Sequence, residues 1–263
     1  MRIDGAVALI TGASTGIGAA IAVDLARRGA HVLLVARNAE ALEERVADIR
    51  GRGGRADSFT ADVGDQEQVA ALGAAVREQV GVPDVVVNNA GAGRWLYLDE
   101  TEPSELETMT AVPYTAALLV TREFLPDMLA RRSGWIVTIN SPVSRMTWPG
   151  ATGYAGARWA LRGLTAALRQ DLRGTGVGVS EVVPGKVLSD YFANNPGAED
   201  RIPKIDALMP AQTPEQVAAA VALAVARERR EVLLPWPLKV ADLAGRFTPR
   251  LLEKVVALTG HRR

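Results

Sequence analysis

Short apolar runs recur along this chain, and each is followed by an amphipathic helical pattern. Strand candidates lie at residues 6–10, 32–35, 84–88, 135–140 and 177–183, with Val85, Val86 and Val87 in an unbroken row. A strand that is apolar on both faces has to be covered on both faces. Helices interposed between successive strands give that cover when the strands run parallel. Ile17, Ile21 and Leu25 mark the first helix, Leu42, Val46 and Ile49 the second, and Val69, Leu72, Val76 and Val80 the third. Residues 58–61 form a weaker strand between the last two. The pattern predicts an α/β fold with a doubly wound, mostly parallel sheet. No composition break or repeat divides the chain, so residues 1–263 are read as a single domain.

Two stretches depart from the alternation. Residues 186–212 are polar and carry Pro196, Pro203 and Pro210 with Asn194, Asn195 and Gly197, which reads as a substrate lid. After a last strand around Val232, Leu233 and Leu234, residues 236–263 read as a helical C-terminal extension. Its apolar stripe is Leu243, Phe247, Leu251, Leu252, Val255 and Val256, set among Lys239, Arg246, Arg250 and Lys254. Packing on the body or on a second chain is the expected use of that stripe. Contact with a membrane surface is the less favoured use.

Composition removes whole classes of chemistry. There is no cysteine, hence no disulfide, thiolate nucleophile or thiolate metal site. The two histidines, His31 and His261, lie near the N-terminus and in the last three residues, so a Ser-His-Asp hydrolase or a multi-histidine metal centre has almost nothing to be built from, and no metal is expected. A formal net charge of +0 gives no support to a nucleic-acid partner. No apolar stretch approaches the roughly 18 residues of a membrane span. The expectation is a soluble cytoplasmic protein whose proton chemistry uses carboxylates, Tyr, Lys or Arg.

Between the first strand and the first helix lies Thr11-Gly12-Ala13-Ser14-Thr15-Gly16-Ile17-Gly18. A glycine-rich strand-to-helix turn lets the backbone close on a pyrophosphate, with the helix N-terminus supplying N–H donors. At the end of the second strand, Ala36 stands where an acid would accept from a ribose 2′-hydroxyl, and Arg37 follows it. Guanidinium forks suit phosphate, so this pair favours NADP(H) over NAD(H).

With these motifs the sequence resembles the short-chain dehydrogenase/reductase family, single-domain Rossmann oxidoreductases, over residues 3–235. Further residues carry the likeness. Asn88-Asn89-Ala90-Gly91 follows the fourth strand, Asp62-Val63 the third, and Pro184-Gly185 the sixth, with Val187 and Ser189 just beyond. Tyr154 opens the family's tyrosine-x-x-x-lysine element, and Ser141 stands thirteen residues before it. The resemblance implies that Gly12, Ser14, Thr15, Gly16, Ile17, Gly18, Arg37, Asp62, Val63, Asn89, Ala90, Gly91, Tyr154, Arg158, Pro184, Gly185, Val187 and Ser189 bind the dinucleotide. It implies Ser141, Tyr154 and Arg158 as catalytic residues. In the family the tyrosine exchanges a proton with a carbonyl or alcohol as hydride passes to or from nicotinamide. It also implies a homodimer or homotetramer acting on a small-molecule carbonyl or alcohol.

Two positions depart from the family pattern. Arg158 replaces the lysine that binds the ribose and lowers the tyrosine pKa, and Pro113 replaces an asparagine at a helix kink. A cation at ~4 Å supplies about 4 kcal/mol at an effective dielectric of ~20, enough to move a tyrosine by ~3 pH units. Arginine can serve that field role, and proline can keep a kink. The competing expectation is a catalytically weak or inactive NADPH-binding sensor. Arg94, Trp95, Pro142, Val143, Trp148 and Tyr191 are the expected pocket residues, and their aromatics suggest an apolar substrate.

Overall fold

The computed structural model describes residues 1–91, 93–189, 191, 195 and 197–261. Among these residues seven strands form one sheet: β1 (Val7–Thr11), β2 (His31–Ala36), β3 (Arg55–Thr60), β4 (Val85–Asn88), β5 (Gly134–Ile139), β6 (Val177–Pro184) and β7 (Glu231–Leu234). All neighbours pair in parallel, in the order β3-β2-β1-β4-β5-β6-β7. Strand order reverses between β1 and β4, and a crevice opens there beyond the carboxyl ends of the central strands.

Nine helices accompany the sheet: α1 (Gly16–Arg27), α2 (Ala39–Gly51), α3 (Gln66–Gln79), α4 (Pro103–Thr110), α5 (Ala116–Ala130), α6 (Thr152–Asp171), α7 (Pro214–Ala226), α8 (Trp236–Phe247) and α9 (Pro249–Thr259), counted among the described residues. Successive strand residues supply opposite layers, as the period of two requires. Ile10, Leu34, Val87 and Val137 pack with Ile21 and Leu25 of α1 and Val221 and Val225 of α7. Their chain neighbours Leu9, Leu33, Val86 and Ile136 pack on the other face with Leu72 and Val76 of α3 and Phe124 of α5. Each such side chain stabilises the fold by about 1.5–3 kcal/mol relative to exposure. The unbroken valine row is thus explained: no position in β4 faces water.

Three details differ from the sequence expectation or refine it. β3 starts at Arg55, three residues before the expected 58, because its polar residues are satisfied at the sheet edge. Asp57 there lies 2.6 Å from His31 Nε2 and accepts a 2.6 Å bond from Arg50. The C-terminal stripe is not one helix, since Pro249 starts α9 and cannot continue the hydrogen-bonded ladder of α8. Between α4 and α5 the helix widens into a π-turn, Ala111–Thr115, with the Ala116 N–H donating to the Ala111 carbonyl. Pro113 sits buried inside it, where its missing N–H costs least.

Residues 186–212 are closed at their base. Gln212 N–H donates to the Lys186 carbonyl at 2.7 Å, and Leu188 N–H to the Gln212 carbonyl at 2.8 Å. Two short 3-10 turns, Glu199–Arg201 and Lys204–Leu208, lie between. Asn194 and Pro196, noted in the sequence, lie outside the described residues. The extension packs on the body: Leu238, Asp242 and Val256 are buried, and the Tyr97 hydroxyl donates to the His261 carbonyl at 3.1 Å.

Candidate active site

β1 leads into the glycine turn, where Gly12 and Gly16 adopt φ of +64° and +55°. Side chains rarely tolerate that region, so the turn needs glycine at both. Gly18 is required for another reason: a Cβ there would lie 2.2 Å from the Gly12 carbonyl oxygen. α1 can sit that close only on a bare backbone. Thr15 makes no side-chain cap, which leaves the first N–H groups of α1 available to an anion.

The neighbouring strand end holds this turn in place. Thr11 Oγ1 accepts from the N–H groups of Asn89 and Ala90, each at 3.0 Å. Asn89 Nδ2 donates to the carbonyls of Thr11 at 2.9 Å and Gly12 at 3.2 Å. The Asn89 amide is therefore committed to shaping the turn.

A cavity of about 720 Å³ runs from the turn, past Arg37, Asp62 and Val63, to Ser141, Tyr154 and Arg158. Every residue nominated for the dinucleotide or for catalysis lines it except Gly18, which is packed behind the turn. Ser14, Thr15, Ile17, Asn89, Ala90 and Gly91 line the first half. Pro184, Gly185, Val187 and Ser189 line it as well, Ser189 standing against Gly16, where an added Cβ would lie 3.8 Å from the Ser189 Cβ. Arg37 lies at the rim with its Nη1 4.0 Å from Asp62 Oδ2, and its side chain is exposed.

At the far end α6 places Tyr154 and Arg158 one turn apart on the same face. Both are buried, at 6% and 7% exposure, and the guanidinium carbon lies 4.9 Å from the centre of the Tyr154 ring. Arg158 Nη1 donates to the Ile139 carbonyl at 3.1 Å. Its Nε has no partner among the described residues although it is shut off from solvent. Gly91 makes room for the group, because a Cβ there would lie 2.7 Å from Nη2. Burying a fixed charge with an open donor is costly unless something polar meets it.

Ser141 caps the 3-10 turn Pro142–Ser144, its Oγ accepting from the Val143 N–H at 3.4 Å. An oxygen used as acceptor there keeps its proton for the cavity. Behind it α6 clamps the turn: Trp159 Nε1 donates to the Val143 carbonyl at 2.8 Å, and Arg162 to the Ser144 carbonyl at 2.9 Å. Asn140 Oδ1 accepts from the Ser141 N–H at 2.9 Å, while its Nδ2 reaches Glu181 at 2.6 Å and the Arg158 carbonyl at 3.2 Å. Glu181 pairs with Arg145, both 1% exposed, and Arg145 also approaches Glu231 at 3.4 Å and Asp242 at 3.8 Å. Sequence reasoning did not foresee this network. A glutamate inside the apolar run of β6 was its one visible sign.

Trp95, Trp148 and Tyr191 stand around Tyr154, with ring centres of Trp95 and Trp148 5.3 Å apart and those of Tyr154 and Tyr191 6.5 Å apart. Burial, with Tyr154 adding to it, pushes the Tyr191 hydroxyl well above its ordinary value, and it donates to the Gly93 carbonyl at 2.6 Å. Two expected pocket residues lie elsewhere. Arg94 is exposed and pairs with Glu105 at 3.0 Å, and Val143 is wholly buried in the core. The wall instead gains Met146, Met209, Leu238 and Val256, the last two from the extension.

A model of the short chain dehydrogenase family matches residues 6–200. The chain belongs to that family. Glycine betaine reductase ATRR of Emericella nidulans is 36% identical over 197 residues, covering 75% of this chain but 16% of that relative. Oxidoreductase UcpA of Escherichia coli K12 is 33% identical over 248 residues, covering 93% of this chain and 88% of its own. A metagenomic short-chain oxidoreductase in complex with NADP aligns at TM-score 0.75 and 33% identity, over 89% of this chain and 98% of that one. A short chain dehydrogenase/reductase from Burkholderia phymatum in complex with NAD aligns at TM-score 0.85 and 26% identity, over 95% and 96%.

Proposed function

We propose that this enzyme interconverts a carbonyl and an alcohol with NADP(H), Tyr154 acting as acid and base. The observation that carries the proposal is the buried Arg158 guanidinium against the Tyr154 ring, at the end of the cavity that starts at the glycine turn. The residues present fit a dinucleotide. The uncapped start of α1 offers donors to a pyrophosphate, and the unpartnered Arg158 Nε offers one to a sugar hydroxyl. NADP and NAD in the two structural neighbours support a nicotinamide group. Bound there, it supplies or accepts hydride at the substrate carbon.

The chain's own residues do the rest. Ser141 gives a hydrogen bond to the carbonyl oxygen and fixes its direction. Tyr154 gives that oxygen a proton during reduction and takes one from the alcohol during oxidation. Arg158 stays charged and stabilises the phenolate by field, without itself relaying a proton. Tyr191 keeps its proton and is a wall of the pocket, not a second acid. Trp95, Trp148, Met146 and Met209 fit an apolar substrate. Replacing Arg158 by Met is expected to lower kcat by about 10²-fold, the scale of one lost charge stabiliser, with Arg158→Lys recovering most of it.

Arg37 supports the NADP choice, since nothing acidic stands at Ala36 and the exposed guanidinium can swing from Asp62 to a 2′-phosphate. Arg37→Ala is expected to raise the KM for NADPH about tenfold or more and leave that for NADH nearly unchanged, as loss of one charge-assisted contact implies. An unchanged ratio of the two would refute the assignment. The decisive test of the whole proposal follows NADPH oxidation across aldehydes, ketones and quinones. Turnover with bulky apolar carbonyls is expected. Tight NADPH binding without turnover of any of them would make the protein a binder rather than a catalyst.

A further inference from the structure

α8 and α9 use only one side of themselves against the body. Leu238, Asp242 and Val256 point inward and are buried. On the outer side of α8, Trp236, Val240, Leu243 and Phe247 are exposed, Trp236 to 75% and Phe247 to 80%. Their spacing of i, i+4, i+7 and i+11 aligns them as one stripe. Leu251 and Leu258 on α9 are exposed as well. Single exposed apolar side chains are ordinary, but a contiguous row of large ones marks a contact surface.

Charge identifies the kind of partner. Residues 236–263 carry six basic residues, Lys239, Arg246, Arg250, Lys254, Arg262 and Arg263, against Asp242 and Glu253, a net +4. Since the whole chain is formally neutral, everything before Trp236 carries a net −4. Asp242 is buried and already engaged by Arg145 and Arg246. Lys239, Arg250 and Lys254 are exposed and make no ion pair among the described residues. A second copy docked stripe to stripe would bring two such positive surfaces together, which works against an isologous pairing. An anionic surface with an apolar interior satisfies both features. Neither helix is long enough to cross a bilayer, so the geometry is that of a helix lying in the interface.

We propose that α8 and α9 form an interfacial anchor for anionic lipid membranes, the Trp236–Phe247 stripe entering the acyl boundary and Lys239, Arg250 and Lys254 meeting lipid phosphates. The test is co-sedimentation of the full chain with vesicles of phosphatidylcholine alone or with about 30 mol % phosphatidylserine. Binding to the anionic vesicles is expected to be about tenfold stronger or more, and to persist in part at ~0.5 M salt, where screening lengths fall to roughly 4 Å. Leu243→Glu/Phe247→Glu should abolish binding with unchanged thermal unfolding. Lys239→Glu/Arg250→Glu should remove the preference for anionic lipid.

No pelleting of the wild type, or equal pelleting of wild type and the Leu243→Glu/Phe247→Glu variant, would overturn the proposal. So would light scattering that shows a dimer dissociated by that variant, with no vesicle binding. Vesicle binding needs neither cofactor nor turnover, so its failure would leave the proposed reaction standing, and the reverse also holds.

Discussion

Tyr154→Phe is expected to lower carbonyl-dependent NADPH oxidation by about 10²–10⁴-fold, the usual range for a lost general acid. NADPH affinity should change by less than about threefold, because the variant keeps the ring. That ring packs on Arg158 at 4.9 Å and lies 5.8 Å from Trp95, so the site loses a hydroxyl and no packing. The nearby Tyr191 hydroxyl cannot substitute. Burial holds its proton, and the proton is already directed at the Gly93 carbonyl. Steady-state kcat on the best carbonyl, with NADPH binding followed by fluorescence, separates the two effects. A variant that keeps full turnover would remove Tyr154 from the chemistry.

The largest effect on stability is expected from Arg145→Met. It would leave Glu181 charged at 1% exposure with its ion partner gone. Breaking a buried pair in this way costs about 3–5 kcal/mol, which lowers Tm by roughly 10 °C in a domain of this size. Adding Glu181→Leu should restore much of the loss, since removing both charges is often neutral. The same variant should alter acid stability. Burial would raise the Glu231 carboxyl, but Arg145, Arg169 and Arg246 outweigh it and hold it below the ordinary value. Such a group stabilises the fold above its unfolded pKa and loses that contribution as pH falls through the lower native value. Without Arg145 the acid unfolding midpoint should move to higher pH. Thermal unfolding within about 1 °C of wild type would show that the pair does not hold the fold.

Much of this was legible in the sequence because parallel strands are written plainly. Val85, Val86 and Val87 have no polar face to hide, and Gly12, Gly16 and Gly18 each meet a backbone demand that only glycine satisfies. Tyr154 and Ser141 stood out only through the family resemblance, and the fold brings both to the wall of one cavity. What was hidden depends on distant partners. β3 begins early because Asp57 finds His31 and Arg50 across the sheet edge. Glu181 advertised a partner by sitting in a buried strand, but only the fold brings Arg145 to it. Val256 reads as one member of an ordinary helix stripe, and only the packing of α8 and α9 on the body brings it, with Leu238, to the cavity wall.

The clamp between α6 and the Ser141 turn divides the enzyme into parts with separate freedom to change. Tyr154 and Arg158 sit on α6, and Trp159 and Arg162 of the same helix grip the turn that carries Ser141. The proposed acid, cation and hydroxyl therefore travel as one piece. The walls of the substrate end come from elsewhere: around Trp95, around Trp148, from 186–212 and from the C-terminal pair. Among the described residues, none of those walls carries a group proposed to react. Substitution, insertion or replacement in them can redirect specificity while the proposed proton-transfer geometry is inherited intact, so one helix and its turn can serve a succession of substrates.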